Sequence, residues 1–204
     1  MIGEPAADHI GRSICRAFQL LYLKGLVTPL AGNISARVSD RLILVTPSRK
    51  LKFSLEPDDL AIVDVESGEV LKGPRPTSEI RMHLGIYRCC REARAVVHIH
   101  GVYAPILAGV IEPRAMDTEA KRIGLKICVL PELEPGSEEL AQRVSRAVCE
   151  EGCRAIVLAN HGIVAVGKSL EEALELAELV ELVYRRSLVL EAIRSLGMHR
   201  VAEP

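Results

Sequence analysis

The sequence predicts an α/β layered domain built on a mixed sheet. Short apolar runs rich in β-branched residues, such as Ala95-Val-Val-His-Ile99, are typical of buried strands. Longer segments with apolar residues at every third or fourth position are typical of amphipathic helices. The strands form hairpins first and then alternate with helices, which indicates a sheet of mixed direction packed between helices.

In the first half of the chain, a long helix precedes a group of strands. Gly25 follows the helix as a suitable stop, and Ser39-Asp40 joins two strands as a hairpin turn. Thr77 or Ser78 is a suitable N-cap for the next helix. The predicted elements are a helix over residues 6–24, strands over 34–38, 41–46 and 60–65, and a helix over about 79–90.

The second half alternates strands and helices. Ser137 is a predicted N-cap, and Ser169-Leu-Glu-Glu172 has the pattern of a capping box. An Asn160-His-Gly162 turn separates two apolar runs. The predicted elements are strands over 95–99, 125–130, 155–159 and 163–166, and helices over 103–110, 137–150 and 169–195.

Composition restricts the function classes. The 204 residues, 49% of them hydrophobic, are enough for one compact domain over residues 1–204. A formal net charge of −1 with interspersed Arg and Glu argues against an electrostatic nucleic-acid binder. No apolar run reaches the roughly 20 residues of a membrane span, and the segment Met1-Ile-Gly-Glu-Pro5 lacks signal-peptide features. We therefore expect a cytoplasmic protein.

The six cysteines form no Cys-x-x-Cys pair, and Cys149 and Cys153 lie four apart on a predicted helix. We interpret the six as small buried apolar residues. Only two Asn and two Gln occur, and Arg far exceeds Lys, a depletion of thermolabile residues that indicates a thermophile. Because thermophiles do form intracellular disulfides, the redox state stays open.

Three histidines at the ends of predicted strands are the strongest functional signal. His98 and His100 lie two apart and share one strand face, while Val97 and Ile99 share the other. His161 follows a second apolar strand. A single histidine of this kind is usually a hydrogen-bonded core residue, but a catalytic zinc needs about three protein ligands, commonly imidazoles. The three together predict a metal site.

Other polar residues lie at the ends of predicted strands and at the start of a helix. Asn33 offers an amide in what alone would be an ordinary turn, and Ser48 ends a strand. Thr77 and Ser78 place hydroxyls at a helix N-terminus, where free N–H groups bind anions. Glu79 beside them is also favoured by the helix dipole alone. The remaining histidines fit a metal site less well: His9 in a helix, His199 in the tail, and His83 as a packing or supporting residue.

Five short motifs occur in order along the chain: Gly32-Asn-Ile-Ser35, Thr46-Pro-Ser48, Pro76-Thr-Ser-Glu79, His98-Ile-His100 and Asn160-His-Gly162. This set resembles the class II aldolase/adducin-head family over about residues 8–195, and within it the L-fuculose-1-phosphate aldolases. The resemblance implies a three-layer α/β/α fold with a mixed, largely antiparallel central sheet. It also implies a cyclic homotetramer with active sites at subunit interfaces.

The resemblance further implies roles for these residues in cleavage of a ketose 1-phosphate to dihydroxyacetone phosphate and an aldehyde. One Zn²⁺ per chain would act as a Lewis acid and stabilise an enediolate. A nearby cation lowers the pKa of an acid/base carboxyl whereas burial raises it, and the balance stays open. By position, the zinc ligands are His98, His100 and His161, the acid/base is Glu79, and the phosphate-binding residues are Asn33, Ser48, Thr77 and Ser78.

The chain departs from the family aldolases at two places. Arg49 stands where they have glycine, and it could contact phosphate or point to solvent. Residues 116–122 contain no tyrosine, although those aldolases carry one there that protonates the leaving alkoxide in a neighbouring subunit's site. A second family tyrosine comes from a C-terminal tail beyond the end of this sequence. Asp117 and Glu119 are replacements by position only, and surface charges are the slightly favoured interpretation.

Several alternatives use the same metal site. Related enzymes epimerise pentulose 5-phosphates, dehydrate methylthioribulose 1-phosphate or decarboxylate. The epimerases carry aspartate where Glu79 stands, so we rank them second. Adducin-like scaffolds lack the three histidines and are not expected. A Schiff-base aldolase would need a buried lysine of lowered pKa, and none of the seven lysines lies in a clearly apolar strand.

Overall fold

The computed structural model describes residues 4–114 and 118–197. The strands are β1 Asn33–Arg37, β2 Leu42–Val45, β3 Ala61–Asp64, β4 Val70–Lys72, β5 Ala95–Ile99, β6 Ile127–Leu130, β7 Ala155–Leu158 and β8 Gly162–Gly167. The α-helices are α1 Glu4–Leu23, α2 Ile80–Cys89, α3 Tyr103–Leu107, α4 Thr118–Arg122, α5 Glu138–Cys149 and α6 Leu170–Ser195. Two 3-10 turns cover Lys52–Ser54 and Pro57–Asp59.

The strands form one eight-stranded sheet in the order β4-β3-β2-β1-β5-β8-β7-β6. Neighbouring strands are antiparallel except β6 and β7, which are parallel. Apolar side chains on one face of the sheet pack with α1, α3 and α6, and those on the other face pack with α2 and α5. The predicted three-layer α/β/α fold with a mixed, largely antiparallel sheet is therefore confirmed.

The central strand β5 illustrates how alternation builds both layers. Val97 and Ile99 lie in the core shared with α1 and α6, whereas Val96 lies in the core shared with α2 and α5. His98, two residues after Val96, therefore faces the α2 layer. Every residue of β5 is buried, so His98 is held rigidly at the middle of the sheet.

Two of the predicted helix caps are confirmed. The hydroxyl of Ser137 accepts from the N–H of Leu140, and that of Ser169 accepts from the N–H of Glu172. The prediction of Thr77 or Ser78 as the cap of α2 is wrong, because a turn over residues 77–80 comes first and Glu79 occupies the N-cap position. Glu79 thus lies just before the helix and not in its first turn.

Some elements were missed or shorter than predicted. Strand β4 and the short α4 were not predicted, and all three residues of β4 are exposed, so they show no burial pattern. The helix predicted over 103–110 ends at Leu107, and the strand predicted over 125–130 begins at Ile127. None of the helices in the described ranges is long and apolar enough to cross a membrane.

Four of the six cysteines form disulfides, which answers the question of redox state that the sequence left open, and the interpretation as small buried apolar residues does not describe these four. Cys89 at the end of α2 bonds to Cys149 at the end of α5, and Cys128 bonds to Cys153. Cys153 lies beyond α5, so it does not share a helix with Cys149. A side chain on Gly85 would meet the hydroxyl of Ser145, and this close approach of the two helices brings the first pair together. Cys15 and Cys90 are free.

We expect the disulfide between α2 and α5 to stabilise the fold. Its cysteines are separated by 60 residues in sequence, and a bond closing a loop of this size contributes about 2–4 kcal/mol. Cys149→Ala should lower the free energy of unfolding in guanidinium by about that amount, and dithiothreitol should abolish the difference from wild type. Cys90→Ala, which removes a free thiol, is the control. Equal stability of Cys149→Ala and wild type without reductant would contradict the prediction.

Candidate active site

Four predicted site residues from three regions of the chain come together at the centre of the sheet. His98 lies on β5, His100 just after it, His161 in the turn between β7 and β8, and Glu79 at the N-cap of α2. Their ligand atoms, one from each residue, all lie within 4.8 Å of one another. The His98 and His100 Nε2 atoms are 3.0 Å apart, and the three ring centroids are 4.8–5.2 Å apart.

The turn Asn160-His-Gly162 is shaped by its neighbours. Asn160 has a left-handed backbone with φ 56°, which asparagine tolerates better than most residues. A Cβ on Gly162 would lie 2.7 Å from Cε1 of His98 and 2.4 Å from the carbonyl oxygen of Ile99. Only glycine therefore allows β8 to pass this close to His98. His161 is carried into the cluster by this turn.

The hydrogen bonding of His98 prepares it as a metal ligand. Its Nδ1 lies 3.0 Å from the carbonyl oxygen of Ile163, which can only accept, so the proton is on Nδ1. The Nε2 lone pair consequently faces the cluster, as in most ligating histidines. Within the described part of the chain, the buried Glu79 Oε1 has no hydrogen-bond partner. Three imidazoles and a carboxylate converging in this way fit a divalent metal ion.

Burial and charge set the protonation states. Burial lowers the pKa of His100 to about 4, with the neighbouring His98 and His161 acting in the same direction. Burial also lowers the pKa of His161. Burial alone would raise the pKa of Glu79, but the contacts with His98 and the hydrogen bond from the Asn33 amide outweigh it and hold that pKa well below its usual range. His100 and His161 are therefore neutral and Glu79 is ionised near pH 7.

The carboxylate of Glu79 is held in place by a chain of buried hydrogen bonds. Its Oε2 lies 3.1 Å from His98 Nε2 and accepts from the Asn33 amide nitrogen at 2.8 Å. The amide oxygen of Asn33 lies 2.5 Å from Nε2 of His83, which was interpreted as a packing or supporting residue. Beyond it follow Ser35 and Tyr87. Neither Ser35 nor Tyr87 was predicted as a site residue from the sequence. The available signal was the spacing of Tyr87 at four residues after His83.

The predicted phosphate-binding residues divide into two groups. Ser48 and Ser78 line a cavity of about 290 Å³ together with Leu30, Arg49 and Arg75. Thr77 and Asn33 are buried, and both contact Glu79: the Thr77 hydroxyl accepts from its backbone N–H at 3.3 Å. Ser48 N–H donates to the carbonyl oxygen of Arg75 at 3.1 Å, which joins the two loops.

Two arginines lie at this cavity. Arg49 has a left-handed backbone with φ 55°, a conformation that glycine adopts without strain, in keeping with the glycine found in the family aldolases. Arg75 was not singled out from the sequence because its loop position gave no signal. Among the residues described, neither guanidinium has an ion-pair partner. Both charges are exposed.

Lys52 was also missed from the sequence. It is 3% exposed, and burial lowers its pKa to about 8. The expectation that no lysine is buried was based on strands alone, whereas Lys52 lies in a 3-10 turn. Its ammonium group donates to the carbonyl oxygen of Pro47, so Lys52 supports the loop that carries Ser48.

The remaining candidates do not join the cluster. Glu119 is half-buried and paired with Arg122, in agreement with a surface role. His9 is exposed on α1. Asp117 and His199 lie outside the described residues.

The chain matches known proteins over most of its length. It is 35% identical over 182 residues to L-fuculose phosphate aldolase of Methanococcus maripaludis, covering 89% of this chain and 96% of that protein. It is 33% identical over 168 residues to 3-oxo-tetronate 4-phosphate decarboxylase of Haemophilus influenzae, covering 78% of each.

Solved structures agree with this similarity. L-fuculose-1-phosphate aldolase from Thermus thermophilus superposes with a TM-score of 0.78 at 28% identity, covering 97% of this chain and 100% of that one. YgbL from Escherichia coli superposes with a TM-score of 0.81 at 27% identity, covering 90% of each. The profile of the Class II Aldolase and Adducin N-terminal domain matches residues 12–188. The chain therefore belongs to the class II aldolase and adducin N-terminal domain family, as one of its metal-dependent lyases.

Proposed function

We propose that this chain is a Zn²⁺-dependent aldolase that cleaves a ketose 1-phosphate, similar to fuculose 1-phosphate, to dihydroxyacetone phosphate and an aldehyde. The observation that carries the proposal is the convergence of three imidazoles and Glu79 within 4.8 Å. The similarity to L-fuculose phosphate aldolases over 89% of the chain supports the same reaction. Neutral imidazoles suit zinc, although cobalt or manganese could substitute.

In this proposal His98, His100 and His161 hold the ion, which supplies Lewis-acid polarisation of the substrate carbonyl when bound. Glu79 transfers the proton at the carbon atom next to that carbonyl, through an enediolate of the substrate. Its Oε1 lacks a hydrogen bond among the described residues and so is the oxygen able to take the proton. Its Oε2 stays fixed by the Asn33 amide at 2.8 Å.

A decarboxylase is the second candidate, supported by the 33% identity to 3-oxo-tetronate 4-phosphate decarboxylase. Both reactions break a carbon–carbon bond near a carbonyl group and leave negative charge on carbon. The same metal and carboxylate can therefore serve either one. Only the products, an aldehyde or carbon dioxide, distinguish the two activities.

Glu79→Gln should keep its metal and lose at least about 100-fold in turnover, since general acid–base groups contribute on this scale. Release of dihydroxyacetone phosphate from fuculose 1-phosphate, and proton exchange of dihydroxyacetone phosphate in deuterated water, measure the activity. Glu150→Gln, which removes an exposed carboxylate just after α5, is the control.

Unchanged proton exchange in Glu79→Gln would contradict the role of this residue. Carbon dioxide from 3-oxo-tetronate 4-phosphate, with no aldehyde from any ketose 1-phosphate, would replace the aldolase with the decarboxylase. A triple alanine variant of the three histidines that retained full metal content by elemental analysis would contradict the ligand set.

We also propose that the substrate phosphate binds at Ser48, Thr77, Ser78 and Asn33, with Arg49 and Arg75 adding two positive charges at the cavity. Arg49→Gly should raise KM for dihydroxyacetone phosphate about tenfold, the size of one charge-assisted hydrogen bond. Because glycine suits φ 55°, backbone strain cannot cause the loss. KM for unphosphorylated dihydroxyacetone should not change. Arg91→Gly is the control, and equal effects on both substrates would argue against phosphate binding here.

Finally, we propose a homotetramer whose neighbouring subunit supplies the group that takes the proton from the hydroxyl that becomes the aldehyde during cleavage. In the reverse, bond-forming direction the same group protonates that alkoxide. Exposed apolar side chains at the end of α1 support an interface, with Leu23 82% exposed and Tyr22 stacked on Phe53. Sedimentation should give four chains per particle, and Leu23→Glu should shift the particle to smaller species and reduce activity. A fully active monomer would refute both the assembly and the shared site.

A further inference from the structure

Four buried side chains form a continuous hydrogen-bond chain between β1 and α2 that ends at the Glu79 carboxylate. They are Asn33, His83, Ser35 and Tyr87, and none is more than 3% exposed. The contacts are 2.5 Å from Asn33 Oδ1 to His83 Nε2, 2.7 Å from His83 Nδ1 to Ser35 Oγ, and 3.0 Å from Ser35 Oγ to Tyr87 Oη. The Tyr87 hydroxyl also lies 3.0 Å from the Ser35 carbonyl oxygen.

The sequence spacing makes this chain possible. Asn33 and Ser35 lie two apart on β1 and share a strand face. Glu79, His83 and Tyr87 lie four apart along α2 and its cap, on one helix face. Side chains two apart on the strand therefore lie opposite side chains four apart on the helix. Asn33 contacts Glu79 and His83, and Ser35 contacts His83 and Tyr87.

The proton positions follow from the first contact. The Asn33 nitrogen faces the Glu79 carboxylate and must donate, so the amide oxygen faces His83 and must accept. Nε2 of His83 therefore carries the ring proton, and Nδ1 accepts from the Ser35 hydroxyl. The Tyr87 hydroxyl is then the donor at the end of the chain, shared between the hydroxyl and carbonyl oxygens of Ser35.

We propose that His83 is a positioning residue for proton transfer: its N–H fixes the Asn33 amide so that Asn33 holds Oε2 of Glu79. Oε1 then stays directed at the histidine cluster. Without the His83 donor the amide can turn by half a rotation and present its oxygen to the carboxylate, which repels it. The inference rests on the proposed role of Glu79, but the orientation of Asn33 can be measured without substrate.

Side-chain amide exchange measures that orientation directly. The chain has only two asparagines, Asn33 and Asn160, so selective ¹⁵N-asparagine labelling gives two assignable side-chain signals. Asn160 donates to Glu132 at 2.7 Å and serves as the internal reference. In His83→Leu the Asn33 amide protons should exchange at least about tenfold faster than in wild type, with Asn160 unchanged.

Three further variants separate positioning from folding. His83→Gln keeps a donor and an acceptor and should restore most of the protection. Ser35→Ala removes a single oxygen and is the variant to measure if His83→Leu does not fold. Its Asn33 amide protons should exchange at a rate between those of wild type and His83→Leu. Tyr184→Phe removes a buried hydroxyl that has no partner within the described residues and should leave Asn33 unchanged.

Kinetics then connect the orientation to the reaction. In metal-loaded protein, His83→Leu should slow deuterium exchange of dihydroxyacetone phosphate at least about tenfold at saturating substrate, with metal content unchanged. In an Asn33→Ala background the same substitution should add less than about twofold, because His83 acts through Asn33.

Asn33 amide protons that exchange as slowly as in wild type in both His83→Leu and Ser35→Ala would overturn the inference. So would a His83→Leu effect on deuterium exchange that is as large in the Asn33→Ala background as in wild type. If wild-type protein catalyses no exchange of dihydroxyacetone phosphate, the proposed function fails. The amide measurement still decides whether His83 orients Asn33.

Discussion

Antiparallel pairing of β1 with β5 sets Asn33 directly opposite His98, and the rest of the site is arranged around this pair. A register slip of one residue would turn His98 into the core shared with α1 and α6 and would turn Asn33 away from α2. Because β5 is also paired with β8, where His98 lies opposite Val164, the register is fixed from both sides. Sheet pairing therefore places His98 and Asn33, while the turn between β7 and β8 and the turn before α2 bring His161 and Glu79 to them.

The cluster concentrates polar atoms where burial is expensive. Nitrogen atoms of His98 and His100 lie 3.0 Å apart beside a carboxylate that is 5% exposed. The structure compensates at the outer end of two of these groups, through the Ile163 carbonyl for His98 and the Asn33 amide for Glu79. What remains directed inward is a set of lone pairs. Such an arrangement favours a cation and keeps each donor in a single orientation before the cation binds.

Local patterns were enough to predict the histidine cluster. The spacing of His98 and His100 defines a strand face, and Asn160-His-Gly162 defines a tight turn. The same patterns gave most helices and strands to within a few residues. The start of α2 was misplaced because Thr77 forms a turn with Ile80, an interaction that sequence alone does not distinguish from a helix cap.

Contacts between distant segments could not be predicted in this way. The disulfide between Cys89 and Cys149 depends on how closely α2 approaches α5. Lys52 follows two other basic residues in sequence, a pattern typical of exposed segments, and its burial arises from the fold around Pro47. Arg49 and Arg75 line the same cavity because a β-bridge between Pro47 and Pro76 aligns the two loops that carry them, which are distant in sequence.

The cavity lined by Arg49 and Arg75 bears on which substrate this chain binds. Metal ligands and a carboxylate provide chemistry that aldolases and decarboxylases share, so they cannot select the substrate. The neighbouring cavity presents, beside neutral hydroxyl donors, two guanidiniums that have no ion-pair partner in the described ranges, and in the proposed function it binds the phosphate that both substrates share. A phosphate held by charge contributes more binding energy than one held by neutral donors alone. Binding energy from a phosphate, which lies away from the reacting carbon, can orient a short substrate. Other residues of the cleft then determine whether the substrate is cleaved to an aldehyde or decarboxylated.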